Sequence, residues 1–331
     1  VGLFLCTGCL ENTFFTSKIV YERSPVSISY DIRYGYRINT SGNGISTIHY
    51  EEYIPQSQNR RIQNISIQPI ETIKNDMLGN QKVFWNQTLN QSSTHLFTIS
   101  ASIIKEPIII SDLSGNNALT LQEIKELYPN IKLKYTQKTG NETKTIIDPS
   151  YPAVAQRAQQ IKTESQTNNS FLIAKQIFSF LKNHTNYEKH ISIKPQSAQT
   201  TYETQVGDCD DLSYLYLSLC RSIGIPSRYV KGYLLSNTNA VAHVWAEIFV
   251  GKQITESGWI PVECAGIGNG ESEIHNHFGM QDVFHLRLNT DDGTNESFQR
   301  FLNPIKIEYE PSMQISITRI ESISNYETQS S

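Results

Sequence analysis

Apolar and aromatic residues recur at every second position from Ile28 through Tyr30, Ile32, Tyr34 and Tyr36 to Ile38, the period of a strand with one buried face. Further short strands are predicted at residues 49–54, 62–69, 81–85 and 95–110. Turn residues separate them, at Ser41, Gly42, Asn43 and Gly44 and again at Leu78, Gly79 and Asn80. Strands of this length and spacing predict an all-β sandwich over residues 18–112, and no catalytic constellation falls within it.

Beyond it the period changes. Residues 113–150 read as a connector with a short helix near 121–127 and a polar turn at 136–145. Helices are predicted at 152–162 and 170–183, the second with Phe171, Ala174, Ile177, Phe178 and Leu181 on one face behind a cap at Asn169 and Ser170. Leu212, Leu215, Tyr216, Leu219, Cys220 and Ile223 recur at three- and four-residue steps. They predict a helix from Cys209 to Ile223, capped by Asp208 and stopped by Gly224 and Pro226. Residues 242–250 then alternate, with Val244, Ala246, Ile248 and Val250 on a dry face and His243, Trp245, Glu247 and Phe249 on the other. After a polar turn at 251–258, residues 259–265 are extended and put Trp259, Pro261 and Glu263 on one side. Helices followed by strands predict an α+β domain over residues 151–310.

Chemistry enters at this helix and hairpin. Cys209 falls at the helix N-terminus, where unpaired N–H groups and the helix dipole favour a thiolate. Asp208, Asp210 and Asp211 oppose that effect, so the sulfur needs a basic partner. In an antiparallel hairpin His243 and Glu263 come nearly opposite one another, so that Glu263 reaches the imidazole. A cysteine, a histidine and a carboxylate in that order are the nucleophile, base and orienter of covalent acyl transfer. A cysteine on an apolar helix stripe is otherwise a core residue, which is the reading for Cys220 and Cys264; spacing gives no support for a disulfide between those two. Glu247 is expected to serve as an ion-pair partner of Arg228.

The stretch resembles the transglutaminase-like superfamily. The motifs are Gly207, Cys209 and Asp211 at the helix start, Gly224, Ile225, Pro226 and Arg228 with Gly232 and Tyr233, then His243, Trp245 and Glu247, and finally Trp259, Pro261 and Glu263. The departure is Glu263, where that family more often has aspartate. The resemblance implies a papain-like core, a helix packed on an antiparallel sheet, with Cys209, His243 and Glu263 as the catalytic residues. It also implies an immunoglobulin-like character for the preceding sandwich. Tyr187, ahead of the helix, is a candidate second oxyanion donor beside the Cys209 N–H.

Composition narrows the reading. A net charge of −4 over 331 residues argues against nucleic acid as a partner. His275 and His277 sit in a Gly- and Asn-rich stretch at 266–277 that reads as a loop without a third ligand, so no metal and no cofactor are expected. Residues 1–17, with Gly8 and Cys9 behind an apolar run, read as a signal remnant or a lipoprotein anchor lipidated at Cys9. Sequons at Asn39, Asn64, Asn86, Asn90, Asn141, Asn168, Asn183 and Asn295 fit an exported, glycosylated chain. Residues 311–331 are expected as a strand near 315–323 followed by a polar tail that frays.

The expected protein is therefore an extracellular or cell-surface cysteine hydrolase or acyltransferase acting on a protein or peptide, with a membrane as partner only through an anchor at Cys9. The alternative is a surface binding or scaffold module that keeps the core without turnover. A wall amidase would share the chemistry and differ in substrate.

Overall fold

The alternation that begins the chain builds a 16-residue strand in the computed structural model, β1 (Ser27–Gly42). The structure describes residues 25–56, 60–76, 78–90, 92–140, 144–189, 195–266, 268, 270–296, 298 and 304–329. After β1 come β2 (Ile45–Tyr53), β3 (Arg60–Gln68), β4 (Ile73–Asn75), β5 (Gln81–Asn90), β6 (Ser93–Lys105) and β7 (Ile108–Ile109). The connector holds α1 (Leu121–Leu127), α2 (Pro129–Tyr135), β8 (Thr139–Gly140) and β9 (Thr145–Ile147). Then follow α3 (Pro152–Glu164), α4 (Ser170–His184), β10 (Asn186–Tyr187), α5 (Ala198–Thr204), β11 (Val206–Gly207) and α6 (Cys209–Ser222). The chain ends with β12 (Ser227–Leu235), β13 (Ala240–Phe249), β14 (Trp259–Val262), α7 (Glu271–His277), β15 (Met280–Gln281), β16 (His285–Thr290), β17 (Ile305–Tyr309) and β18 (Met313–Gln329).

The early strands form two four-stranded sheets, ordered β18-β1-β6-β3 and β17-β2-β5-β4, around a core that includes Ile32, Tyr34, Tyr50, Trp85 and Phe97. Both sheets take an edge strand from the chain's far end. β18 pairs with β1 from Ser27↔Gln329 to Gly42↔Met313, and β17 pairs with β2. Two expectations change here. Residues 305–309 join the front unit and not the 151–310 core, and the 322–331 tail is strand as far as Gln329. Side-chain polarity misleads at this edge, because the ladder bonds are made by backbone groups whatever the side chain. Ile315, Ile323 and Tyr326 on β18 also pack against the sandwich core.

In the second unit α6 is buried along its length from Asp211 to Arg221, with α3, α4 and α5 on one side and β12 and β13 on the other. A helix enclosed in this way shows apolar residues on nearly every face, as Leu212, Tyr214, Leu215, Tyr216, Leu217, Leu219 and Cys220 do. Its sheet runs β14-β13-β12-β16, antiparallel throughout. Gly232 is needed where β12 meets β16, since a Cβ there would lie 1.9 Å from the Leu286 carbonyl oxygen. Two further corrections apply. Pro129 at the first helical position starts α2 just ahead of the turn expected at 136–145, and that turn encloses the β8–β9 pairing. The loop expected at 266–277 contains α7, held because Ile274 packs on the core.

The units share apolar surface. Tyr233, Leu235 and Ala240 of the core sheet, with Val283, Leu286 and Leu288, belong to the same buried cluster as the sandwich residues. Lys105, at the end of β6, donates to the Asp282 carbonyl oxygen at 2.7 Å. No helix among the described residues is long and apolar enough to cross a membrane.

Candidate active site

Cys209 is the first residue of α6, and the cap beneath it is complete. Asp208 accepts from the N–H groups of Asp210 and Asp211, and Asp211 accepts from the N–H of Asp208. Asp211 is buried and also takes the backbone and side-chain N–H groups of Gln196, at 2.6 and 3.1 Å. It therefore fixes the approach to the helix. Gly207 is the only residue that fits before the cap, since a Cβ there would stand 2.7 Å from that of Asp211. The parallel β10–β11 pairing sets Tyr187 beside Gly207, two residues ahead of the cysteine.

The strand side is fixed by where pairing stops. β13 and β14 pair from Phe249↔Trp259 to Ala246↔Val262 and no farther. Beyond that point β13 pairs on one side only, with β12, and the Val244 N–H hydrogen-bonds the Cys209 sulfur, which sets the thiol against the backbone next to His243. Glu263 follows the last paired residue of β14, its N–H bound to the His277 carbonyl at 2.8 Å. From there its Oε2 accepts a hydrogen bond from His243 Nε2 at 2.7 Å. Both side chains are buried.

Two residues that the sequence did not point to complete the arrangement. His285 Nε2 binds the same Glu263 Oε2 at 2.8 Å, and His285 Nδ1 binds Asp282 Oδ1 at 2.7 Å. The remaining Glu263 oxygen takes the Ala265 N–H at 2.8 Å. Trp245 lies against both rings, 6.1 Å from His243 and 5.4 Å from His285 between centroids. The signal available in the sequence was a charged pair three residues apart, Asp282 and His285, at the entrance to an apolar strand.

Charge follows from these contacts. Burial works against ionisation of Glu263, but the imidazoles of His243 and His285 outweigh it and hold its carboxyl well below the usual range. Burial likewise disfavours a charged His285, yet Asp282 and Glu263 raise it to about 9. The Cys209 thiol is pushed well above its ordinary value by burial, then by Asp210 and Asp208, with the Val244 N–H pulling the other way. Asp210 is itself pushed up to about 7 by burial and by its two acidic neighbours.

Other expected residues hold structural posts. Glu247 is buried between Arg228, at 2.8 Å, and Arg287, and Arg228 stacks 4.0 Å over the Trp259 ring. Cys220 and Cys264 are buried free thiols. A cavity of about 260 Å³ opens against the acid side, walled by Trp245, Pro261, Glu263, Met280, Val283 and His285 among others, and not by Cys209 or His243.

Donor atoms of His243, Glu263 and His285 lie within 4.8 Å of one another, while His275 and His277 form no such group among the described residues. Two ligands of a tetrahedral zinc stand roughly 3.3 Å apart, from metal–ligand distances of about 2.0 Å. The 2.7 and 2.8 Å separations here are instead hydrogen bonds with a proton in each. Cys6 and Cys9 lie outside the described residues.

Residues 155–264 match the family model of the transglutaminase-like superfamily. The uncharacterized protein YebA of Bacillus subtilis (strain 168) is 25% identical over 281 residues, or 78% of this chain. This chain spans 33% of that relative's length. A crystal structure of a candidate cysteine protease from Cytophaga hutchinsonii, 14% identical, shares the fold with a TM-score of 0.55 over 90% of this chain and 97% of that one. The periplasmic domain of TgpA from Pseudomonas aeruginosa is 12% identical, with a TM-score of 0.36 over 75% of this chain and 94% of that one. The segment 155–264, which carries Cys209, His243 and Glu263, is thus a transglutaminase-like core.

Proposed function

We propose that the protein is a cysteine-dependent hydrolase or acyltransferase acting on amide or peptide carbonyls through Cys209, His243 and Glu263. The observation that carries this reading is the buried His243–Glu263 hydrogen bond beside the helix terminus that holds Cys209. Because Nε2–H of His243 is given to the carboxylate, Nδ1 is the nitrogen left to take a proton. Burial and the neighbouring aspartates keep the sulfur a thiol at rest, which makes His243 a general base. As Sγ attacks the carbonyl carbon, its proton passes to Nδ1 and the carbonyl oxygen gains charge. The Cys209 backbone N–H, in the first turn of α6, is one donor for that oxyanion. His243 returns the proton to the leaving amine, and the resulting thioester passes to water or to a second amine. Glu263 holds the ring in the productive tautomer and offsets the positive charge on it during the transfer.

The substrate class is a protein or peptide at the cell surface. The chain is exported and anchored by a lipid on Cys9, and the sandwich serves as an immunoglobulin-like support. The apolar run before Cys9 and the sequons favour export. The test is a peptide library with and without an amine acceptor, read by mass spectrometry. Wild type should release or transfer acyl groups. Cys209→Ala should give no product, and Glu263→Gln should lower kcat by about a hundredfold or more with KM nearly unchanged. Glu263→Asp, which keeps the charge on a shorter arm, should fall between Gln and wild type. Turnover that persists in Cys209→Ala would refute the assignment.

A further inference from the structure

We propose that His285, held by Asp282, is a positioning residue for the acid: it anchors the Glu263 oxygen to which His243 also binds, and it sets how much of the carboxylate's charge His243 meets. The inference rests on the reading of Cys209, His243 and Glu263 given above.

The protonation of His285 follows from its partners. Each ring nitrogen lies at hydrogen-bond distance from a carboxylate oxygen, Asp282 Oδ1 at 2.7 Å and Glu263 Oε2 at 2.8 Å. An ionised carboxylate only accepts, so both nitrogens must carry hydrogen and the ring is a cation. Burial alone would remove that charge; the two anions retain it, and the ring keeps its proton up to about 9. Charges therefore alternate from Asp282 through His285 to Glu263, and His243 stands at the end of the series.

The series answers a geometric difficulty. A glutamate has one more rotatable bond than an aspartate, so a single hydrogen bond to His243 does not fix it. Here Ala265 N–H holds Oε1, His285 holds Oε2, and the second lone pair of Oε2 is left for His243. The charge matters as well. An unshared carboxylate would favour a resting imidazolium at position 243, which is of no use as a base. With His285 as a cation on the same oxygen, that bias is reduced and His243 can receive the thiol proton.

Other groups facing His285 are few among the described residues. His243 and Trp245 approach from β13, His277 from the end of α7, and Lys105 from β6 acts through Asp282; Tyr326 on β18 also meets the Asp282 charge.

The test uses the full chain with ¹⁵N-labelled histidine, signals being assigned with His285→Gln and His243→Gln. In wild type, both His285 nitrogens should be protonated through neutral pH and lose that state near about 9. The Nε2–H signal of His243 should change at the same step. In Asp282→Asn, which keeps an acceptor and removes the charge, both changes should move together to lower pH. Alkylation of Cys209 by iodoacetamide at pH about 7 should then fall about tenfold in Asp282→Asn and in His285→Gln, while circular dichroism stays native. A His285 that titrates near its ordinary 6.5, or a His243 signal unmoved by His285, would overturn the inference. A Cys209 no more reactive in wild type than in His243→Gln would instead reject the catalytic reading, and the nitrogen titration would still report whether the two rings are coupled.

Discussion

Asp210 lies next to Cys209, and its charge opposes ionisation of that sulfur. Its carboxyl, raised by burial and by Asp208 and Asp211, titrates at about 7. Asp210→Asn removes the opposing charge and should speed alkylation of Cys209 roughly threefold to tenfold above neutrality. The gain should vanish at acid pH, where wild-type Asp210 is already neutral; a gain independent of pH would mean that Asp210 acts through shape. The same groups set stability against pH. His285 is raised from 6.5 to about 9, so its contribution is complete below 6.5 and lost as pH rises through about 9. Glu263 is depressed below 4.5, so its contribution is present above 4.5 and lost as pH falls through its lower native value. Asp210, raised from 3.8 to about 7, works in the opposite sense and destabilises as pH climbs through about 7. Thermal midpoints followed by circular dichroism should peak near about pH 4.5, decline as pH rises toward 7 through Asp210, and decline further between 6.5 and about 9 through His285. A maximum at alkaline pH would contradict the assigned charges.

Among the elements, the ones that carry their own periodicity were legible. Asp208 caps α6, α6 ends one residue short of the predicted Ile223, and Glu247 pairs with Arg228 as the motif suggested. The β13–β14 hairpin was also legible, because one dry face and a short polar turn leave little freedom in register. His285 and Asp282 were not, because they meet Glu263 through tertiary packing, and two isolated polar residues before a strand carry no periodic signal. The same holds for α7, where a single anchor, Ile274, sets a Gly- and Asn-rich segment into helix. Gly35 is the local feature of β1 that tertiary structure demands. Its φ is +135°, and a Cβ would stand 2.0 Å from the Phe97 carbonyl oxygen. Gly35→Ala should destabilise the chain by about 2–4 kcal/mol in chemical denaturation, and an unchanged midpoint would mean that β1 and β6 can separate at little expense.

At the scale of the whole molecule, strands from both ends of the chain close the sandwich, and the sandwich shares a core with the sheet that carries His243. Local pattern identified the early strands but not their last partners, because strand pairing across nearly three hundred residues of sequence leaves no mark on either strand. The consequence for function is rigidity: Asp282, which holds His285, is braced by Lys105 of the sandwich. The fold thus sets Cys209 at a helix end against the backbone beside His243, and His243 against Glu263, with the other two described cysteines buried. The most direct measurement is the iodoacetamide rate at each cysteine at neutral pH, resolved by peptide mass mapping in wild type and in His243→Ala. The account predicts that Cys209 reacts at least about tenfold faster in wild type than in His243→Ala, and that Cys220 and Cys264 stay unmodified in the folded chain. A Cys209 rate that is the same with and without His243 would contradict it.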